Sequence, residues 1–261
     1  MRPMLNIHAS VRPTPSPSLS SRRQFLTVAA KAMAGKERFE VAVKGLPKDG
    51  AKSSFEGKLG DCPFTHRVLL TLEEKQIPYV KHYVNTHDKP EWLSEAHPEK
   101  KVPAVKDLNS NKWIADSAAI VDYIEDEIPE PPLGKTGDSK NVGEGLFPAF
   151  VSYLQSFDKA EEKEKRSYLR TKLQEIDTFL QSHKPYIHGK SVGPNDLELA
   201  PKLHHVQLVT KQFKDWDVYT AFPAIGEYAG AMQNRQSWKN TKYEDGLVIQ
   251  EWGDKVKSFK G

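Results

Sequence analysis

The sequence of 261 residues contains a single cysteine, Cys62, placed where a helix is expected to begin. Pro63 suits the first position of a helix, because its fixed φ matches the turn and its missing N–H has no partner there. A thiol at this place faces unpaired backbone N–H groups and the positive end of the helix dipole, and both favour the thiolate. The sequence therefore predicts a nucleophilic Cys62, against the alternative of a buried cysteine that only fills space.

The composition limits the chemistry that can accompany this thiol. One cysteine cannot form an intramolecular disulfide, and no Cys/His spacing is typical of a zinc site, so we expect no bound metal. No apolar run reaches the roughly 18–20 residues of a membrane-spanning helix, so no stable membrane association is expected.

Basic residues are concentrated at the start of the chain. Residues 1–38 hold seven Lys and Arg but only one Glu, which leaves residues 39–261 with a small net negative charge. A nucleic-acid partner therefore gains no support from the body of the chain. A segment rich in Ser, Pro and Ala and poor in acid is typical of an organelle transit peptide, so residues 1–38 are predicted to be one. Its composition does not separate chloroplast from mitochondrion, and a merely disordered terminus is the alternative.

The first part of the chain alternates strand and helix patterns. Alternating or continuous apolar runs predict strands at 39–43, 79–84, 102–105 and 113–115. Amphipathic spacing predicts helices at 62–75 and 117–127, with a short helical turn at 90–95. This order indicates an α/β domain over residues 39–128.

A proline-rich stretch then separates two kinds of structure. Residues 129–134 cannot continue a helix and predict a stiff linker over 129–142. Beyond it, apolar residues recur at helical spacing, which predicts an all-helical domain over 143–261. Its helices are expected at 145–157, 163–183, 196–211, 222–238 and 243–259. The run of charges at 161–166 is expected to be a solvated face or a loop.

This outline resembles the glutathione transferase superfamily, and within it the chain is most similar to the plant and algal dehydroascorbate reductases. The resemblance covers most of the chain from Phe39 onward. It is carried by Cys62-Pro63-Phe64-Thr65, by Lys101-Val102-Pro103-Ala104-Val105, by Asp116-Ser117, by residues 85–92, by residues 199–203 and by Trp252. It implies a glutathione transferase fold, in which an α/β thioredoxin-like domain is followed by an all-α domain.

The resemblance also implies an activity: reduction of dehydroascorbate to ascorbate with glutathione as co-substrate and no bound cofactor. Cys62 is the expected catalytic residue. Many relatives have cysteine or serine where this chain has Thr65, and this chain has no second cysteine. An oxidised Cys62 must therefore be resolved by an outside thiol, which predicts a monothiol cycle. A monomer in the chloroplast stroma is expected, with the mitochondrion as the alternative location.

Five residues are expected to bind glutathione in the manner of the family. The backbone of Val102 pairs with the cysteinyl part of the ligand, and Pro103 has a cis peptide bond that exposes this edge. Asp116 and Ser117 receive the γ-glutamyl end, and Lys89 contacts the glycyl carboxylate. By themselves Asp116 and Ser117 are also consistent with an ordinary helix cap.

The remaining expected site residues come from several segments. Lys44 and Asp61 take positions that contact dehydroascorbate or ascorbate in the family. His205 and Trp252 resemble residues that line the glutathione site from the helical half, although core packing is equally consistent with both. His66 is expected to be exposed.

Two other functions remain open from the sequence. An omega-like thiol transferase has the same fold and a single reactive cysteine. A chloride intracellular channel-like protein has a similar Cys-Pro-Phe segment and associates with membranes. The charges at Arg67, Glu73, Glu74 and Lys75 disfavour insertion of the first helix into a bilayer.

Overall fold

The structure, a computed structural model, describes residues 37–134 and 142–259. Nearly all of the predicted transit peptide therefore lies outside the described residues. The described part consists of an α/β half followed by a helical half, as the sequence predicts. Among these residues, no helix is long and apolar enough to cross a membrane.

The α/β half is built on a mixed sheet in the order β2-β4-β1-β5-β6, with β3 paired to the far end of β1. β1 runs parallel to β4 and antiparallel to β5, and β5 runs antiparallel to β6. The strands are β1 Phe39–Pro47, β2 Ser53–Ser54, β3 Gly57–Leu59, β4 Tyr79–Val84, β5 Ala104–Asp107 and β6 Lys112–Ala115. A single 3₁₀ turn, Lys48–Gly50, follows β1.

Two helices cover one face of this sheet and close its core. They are α1 (Pro63–Glu74) and α3 (Ser117–Glu127), while the short α2 (Leu93–Ala96) contributes to a smaller apolar cluster with Ala42, Val84 and Ala104. Alternate residues of β1 point into the main core because side chains of a strand alternate between its faces. That core contains Phe39, Val41, Val43, Val68, Leu69, Leu72, Val105, Ile120 and Ile124.

Seven described helices form the second half. They are α4 Leu146–Leu154, α5 Lys159–Ser182, α6 Pro194–Lys214, α7 Val218–Ala221, α8 Pro223–Gln233, α9 Gln236–Thr241 and α10 Asp245–Phe259. Their shared core includes Leu70 of α1, so the two halves are joined by apolar packing as well as by polar contacts.

The predicted linker is attached to the α/β half where its first residues are described. Lys75 Nζ donates to the carbonyl of Pro131 at 2.8 Å and to Glu125 at 2.6 Å. The other oxygen of Glu125 accepts from the backbone N–H groups of Leu133 and Gly134. The proline-rich segment is therefore held by a buried lysine and a carboxylate rather than by its own stiffness alone.

Two parts of the structure differ in detail from the sequence-based expectations. The short strands β2 and β3 were not predicted, and they exist because β4 and β1 offer them partners. The single helix expected at 222–238 is divided into α8 and α9 at Asn234 and Arg235. Residues 161–166 form a mostly exposed face of α5, which is one of the two alternatives expected for this run of charges.

Candidate active site

Cys62 caps helix α1 with its own sulfur. The Sγ atom accepts a hydrogen bond from the backbone N–H of Thr65 at 3.4 Å, and α1 begins at Pro63. The side chain is half-buried rather than sealed in the core. A sulfur in this position lies against the free N–H groups of the first helical turn, which stabilise a negative charge. The predicted place of Cys62 at a helix start is confirmed, while its catalytic role stays a prediction.

Three charged residues meet beside this thiol. Lys44 is in β1, and its Nζ donates to Asp61 Oδ1 at 2.6 Å and to Glu251 Oε2 at 2.8 Å. Lys44 and Asp61, which the resemblance placed in one site, are therefore in direct contact. Glu251 of α10 was not predicted, because nothing near it in sequence indicates a partner 207 positions away.

Burial and pairing set the charges of this cluster. Burial raises the pKa of Asp61 above its ordinary value, although Lys44 opposes the shift. Burial disfavours the charged form of Lys44, but its contacts with Asp61 and Glu251 outweigh this and raise the pKa of Lys44. The ammonium therefore persists at neutral pH. Asp61 Oδ2 is buried and accepts no hydrogen bond from the described residues, so it is an acceptor left for a ligand or water.

Val102 and Pro103 lie immediately before β5, and the peptide bond between them is cis, as the resemblance implied. Ladder pairing of β5 begins at Ala104. Within the described residues, neither backbone polar group of Val102 hydrogen-bonds another backbone group. A free N–H and C=O ahead of a paired strand are what an added extended peptide requires.

Asp116 and Ser117 form the start of α3. Asp116 Oδ1 accepts from the N–H groups of Ala118 at 2.8 Å and Ala119 at 3.2 Å. The backbone of Asp116 has φ 71° and ψ 128°, a conformation that L-residues rarely adopt. Strain of this kind is retained where the surroundings determine it, often at a binding site. Asp116 is thus a helix cap with an exposed carboxylate, and Ser117 is nearly buried beside it.

Arg67 of α1 contacts Ser117 and was not predicted as a site residue. Its Nη1 donates to Ser117 Oγ at 3.5 Å, and its Nη2 lies 3.2 Å from Glu198 of α6. Burial lowers the pKa of Arg67, and Glu198 opposes this shift. A buried guanidinium beneath the start of α3 adds positive charge where the resemblance places the γ-glutamyl carboxylate.

Lys89 is half-buried in the loop after β4 and forms no ion pair with the described residues. Its ammonium is therefore available to a carboxylate ligand. The neighbouring pair of Lys52 with Asp88 shows that this loop also carries ordinary surface charges.

His205 and Trp252 form a hydrogen-bonded pair in the helical half, and their expected place in the glutathione site stays a prediction. Both are almost fully buried, and Trp252 Nε1 donates to His205 Nδ1 at 3.0 Å. The other ring nitrogen of His205 lies 2.8 Å from the hydroxyl of Tyr243. Their polar atoms are therefore already paired, and none remains for a direct hydrogen bond to glutathione.

His66 is buried, so the expectation that it is exposed was wrong. Its Nε2 contacts Thr241 Oγ1 at 3.0 Å, and its ring packs on Trp238 of α9. Burial, with a smaller contribution from His204, lowers the pKa of His66 to about 3. The residue one turn beyond Cys62 therefore belongs to the interface between the halves.

Among the described residues, no group of His, Cys, Asp and Glu side chains is arranged to hold a metal ion.

These features are those of the glutathione transferase fold. The thioredoxin-like sheet has a cis-proline edge and a capped helix start, and the second half is all-helical. The family description "Glutathione S-transferase, N-terminal domain" matches residues 61–127. The solved structure of Chlamydomonas reinhardtii dehydroascorbate reductase is similar over 83% of this chain and 97% of that one, with 34% identity and a TM-score of 0.73.

Two proteins of Arabidopsis thaliana are similar over most of their length. Glutathione S-transferase DHAR2 is 41% identical over 76% of this chain and 92% of its own. Glutathione S-transferase DHAR3, chloroplastic, is 36% identical over 89% of this chain and 85% of its own. The chain belongs to the DHAR group of the glutathione transferases, the dehydroascorbate reductases.

Proposed function

We propose that this protein reduces dehydroascorbate to ascorbate with two molecules of glutathione. The observation that carries the proposal is the half-buried sulfur of Cys62 at the start of α1, next in sequence to the Asp61–Lys44 pair. The family membership supports the same reaction. The sulfur supplies the reducing nucleophile, and the charged pair supplies a donor and an acceptor for the oxygens of the substrate.

The cycle uses one protein thiol and balances in three steps. The Cys62 thiolate and one water convert dehydroascorbate to the ascorbate monoanion and leave a sulfenic acid on Cys62. A first glutathione condenses with the sulfenic acid, releases water and forms a mixed disulfide. A second glutathione attacks that disulfide, releases glutathione disulfide and regenerates the thiolate. The chain has no second cysteine, so no internal disulfide competes with these steps.

Glutathione is proposed to lie across the open edge before β5. The backbone of Val102, exposed by the cis bond to Pro103, pairs with the cysteinyl residue. The exposed carboxylate of Asp116 attracts the γ-glutamyl ammonium, while Ser117 takes the γ-glutamyl carboxylate. Lys89 takes the glycyl carboxylate. This arrangement directs the ligand thiol toward Cys62.

Dehydroascorbate is proposed to bind against the Lys44–Asp61 ion pair, at the donor and the acceptor that the pair leaves free. An ammonium has three N–H donors, and two of those of Lys44 are used by Asp61 and Glu251. The third donates to a carbonyl oxygen of the substrate. Asp61 Oδ2, which lacks a donor among the described residues, accepts from a substrate hydroxyl. Trp252 directly follows Glu251, so its hydrogen bond to His205 is proposed to hold the helix that supplies this partner of Lys44.

The experiment that tests the function follows ascorbate formation by its absorbance, with and without glutathione. We expect Cys62→Ser and Cys62→Ala to lose at least 10³-fold in rate, because neither replacement forms a thiolate. Persistence of most activity in either variant, or in the absence of glutathione, contradicts the proposal. Assaying hydroxyethyl disulfide in parallel ranks this function against the omega-like thiol transferase, which predicts the faster reaction with the disulfide.

The channel-like alternative is tested by flotation with liposomes. The described α1 is buried on most of its surface and carries Arg67 in an ion pair, which disfavours its release into a bilayer. We expect the protein to remain with the unbound fraction at neutral and at acidic pH. Flotation with the lipid at either pH favours the channel-like alternative.

We further propose that residues 1–38 direct the protein to the chloroplast stroma. The leader composition supports delivery to an organelle, and the name of one relative reported above includes the word chloroplastic. Fusing residues 1–38 to a fluorescent protein in plant cells tests this, with residues 39–261 as the control fusion. Mitochondrial fluorescence supports the alternative location, and diffuse fluorescence contradicts a transit peptide.

Two further points are proposals. The first is the set of domain limits, 39–128 and 143–261 with 129–142 as linker, and the second is a monomeric state. Light scattering after size exclusion tests the monomer, for which a mass of one chain is expected. Limited proteolysis tests the limits, since cleavage is expected within 129–142 and not in the flanking domains.

A further inference from the structure

The charged cluster at Lys44 contains one carboxylate more than neutrality requires. Lys44 Nζ donates to Asp61 Oδ1 at 2.6 Å and to Glu251 Oε2 at 2.8 Å, so a single ammonium bridges the two acids. The pair of Lys44 with Asp61 has no net charge, whichever of the two groups holds the shared proton. Glu251 therefore adds one negative charge to the cluster.

Glu251 keeps this charge at neutral pH. Burial disfavours the charge, but the contacts with Lys44 outweigh burial and lower the pKa of Glu251 below its ordinary value. On the other side of the carboxylate, Oε1 lies 3.7 Å from Nε2 of His87, and Lys255 is close enough to act on the same charge. His87 and Lys255 are exposed, so water and salt screen them more than they screen Glu251, whose side chain is only 27% exposed.

The cluster is attached to the loop that carries Cys62. The N–H of Gly60 donates to the carbonyl of Lys44 at 2.9 Å, and the N–H of Cys62 donates to the carbonyl of Gly60 at 3.1 Å. Gly60 also packs against the stem of Lys44, because a Cβ added to Gly60 would lie 3.1 Å from Lys44 Cγ. A ligand that reaches the sulfur of Cys62 therefore comes close to the charge of the cluster.

The substrate and the product of the proposed reaction differ in charge. Ascorbate has an acidic enediol hydroxyl and is a monoanion at neutral pH, whereas dehydroascorbate has no such group and is uncharged. A ligand oxygen that accepts the third N–H of Lys44 lies within roughly 5–6 Å of the Glu251 oxygen, because both are bound to the same nitrogen. At this separation two negative charges repel each other even in a medium close to water.

We propose that Glu251 determines charge specificity at the thiol site: its negative charge disfavours the ascorbate monoanion relative to uncharged dehydroascorbate and so promotes release of the product. Glu251 acts through its field and through Lys44 without touching the substrate, so it is a specificity-determining residue rather than a catalytic one. The inference rests on the proposed function, in which the substrate binds against the Lys44–Asp61 pair.

The test compares alkylation of Cys62 by iodoacetate and by iodoacetamide. The reagents are similar in size but only iodoacetate is an anion, and Cys62 is the only cysteine, so the ratio of the two rates reports the charge around this sulfur. We expect Glu251→Gln to raise the ratio of the iodoacetate rate to the iodoacetamide rate about twofold to fourfold at low salt. Gln retains an oxygen for Lys44 and removes only the charge. An unchanged ratio overturns the proposal, and this readout requires neither substrate.

Asp254→Asn is the matched control. Asp254 is on the same helix, pairs with Lys257 at 3.1 Å on the exposed surface, and its replacement changes the net charge of the protein by the same amount. The ratio of rates should equal that of the unaltered protein. Glu251→Asp retains the charge and should also leave the ratio unchanged. A rise in either variant as large as in Glu251→Gln overturns the proposal, because the effect is then not due to the charge of Glu251.

Steady-state kinetics test the consequence for turnover. In Glu251→Gln, the inhibition constant of ascorbate divided by the KM for dehydroascorbate should fall about threefold to tenfold, because only the anion gains from removal of the charge. A variant that merely misplaces Lys44 changes both constants alike. An unchanged quotient therefore overturns this inference while the proposed reaction stands. Absence of ascorbate formation by the unaltered protein contradicts the proposed function, and this inference with it.

If Glu251→Gln does not fold, the unaltered protein is measured over a range of salt concentrations. Salt screens the repulsion of iodoacetate, so the ratio of rates should rise with salt more steeply for Cys62 than for 2-mercaptoethanol, a thiol with no other charge. An equal or shallower rise for Cys62 overturns the proposal.

Discussion

Lys44 holds carboxylates from two distant parts of the chain, Asp61 before the thiol and Glu251 in α10. Each contact reduces the cost of burying the other charges, so the cluster is stable only as a set. The same arrangement leaves one donor of Lys44 and one oxygen of Asp61 for a ligand. The residues that hold the site together are therefore also those proposed to bind dehydroascorbate.

Replacing Lys44 tests this double role. In Lys44→Met, the buried Asp61 loses its partner, so we expect a loss of about 3 kcal/mol in the free energy of unfolding at pH 8. The loss should shrink as the pH falls toward 4, because an unpaired buried carboxyl binds a proton more readily when folded than when unfolded. Urea denaturation at several pH values measures this, and the ascorbate assay should show at least a tenfold lower rate.

The control for this prediction is Lys52→Met. Lys52 pairs with Asp88 at 2.9 Å on the exposed surface, where ion pairs contribute little. No measurable change in stability or activity is expected. A Lys44→Met protein as stable as this control at pH 8 contradicts the role assigned to the cluster.

The sequence predicted only some of these site residues. Cys62 is recognisable from Pro63 and the helix pattern that follows, because a cap is encoded by its immediate neighbours. Glu251 is not, since its partner Lys44 is brought to it only by the docking of the two halves. Arg67 was noticed as a charge, but its contact with Ser117 depends on how α1 and α3 cross the sheet.

At the scale of elements, two helix starts are the working parts of the site. α1 begins with a sulfur cap and α3 begins with the carboxylate cap of Asp116. Each cap accepts hydrogen bonds from N–H groups of its own helix. Each is also proposed to act in the site, the sulfur of Cys62 as nucleophile and the carboxylate of Asp116 as a glutathione ligand. A capping role and a binding role are therefore superimposed at Asp116, and they can be separated by changing its charge alone.

Asp116→Asn retains a capping oxygen and removes the negative charge. We expect the free energy of unfolding to change by less than about 0.5 kcal/mol, because Asn caps nearly as well as Asp and tolerates positive φ. The KM for glutathione should rise roughly tenfold, because the γ-glutamyl ammonium loses a charged acceptor. Steady-state kinetics at saturating dehydroascorbate measure this change.

Asp158→Asn is the control, since Asp158 caps α5 through the same two contacts, to Ala160 at 2.8 Å and Glu161 at 3.1 Å. It should leave the KM for glutathione unchanged. Equal KM values for the two variants show that Asp116 is only a cap.

Elements with strong local signals were predicted well. The strand at 79–84 and the helix at 117–127 have the predicted limits, because apolar period and turn residues agree there. β2 and β3 are short and polar, so only their partners in the sheet define them. The break between α8 and α9 has no proline or glycine at the junction, and Arg235 instead turns toward Glu74 of α1.

At the scale of the whole molecule, α1 is the element that joins the halves. Glu74 accepts from Arg235 Nε and Nη2, each at 2.6 Å, and also from Ser237. Burial opposes the charge of Glu74, but its contacts with Arg235 and Ser237 outweigh this and lower the pKa of Glu74. Much of the interface is therefore specified by charges and hydrogen bonds around a shared apolar core.

A double-mutant cycle on Glu74→Gln and Arg235→Gln tests this interface. We expect a coupling of roughly 2 kcal/mol in the free energy of unfolding, because the pair is bidentate and largely buried. The same cycle on the exposed pair of Lys184 with Glu227 should give no measurable coupling. Additive effects at Glu74 and Arg235 contradict a stabilising role for the pair.

His66 makes stability depend on pH. Its pKa is about 3 in the folded protein and about 6.5 when unfolded, so the unfolded chain binds a proton first as the pH falls. The stability contribution is complete above pH 6.5 and is lost below it, amounting to about 2 kcal/mol between pH 8 and pH 5. Urea denaturation at both pH values should show a smaller pH-dependent loss in His66→Gln. His87→Asn, at an exposed histidine, should behave like the unaltered protein.

The position of Glu251 has a consequence for biosynthesis. The ribosome synthesises the segment with Cys62 long before it synthesises α10. A nascent chain that ends near Lys242 therefore has the thiol but not Glu251, the second carboxylate that contacts Lys44. The active centre is therefore assembled only late in synthesis. Premature stops between Cys62 and α10 should give proteins that still contain the thiol but lack Glu251, the Lys44 partner from that helix.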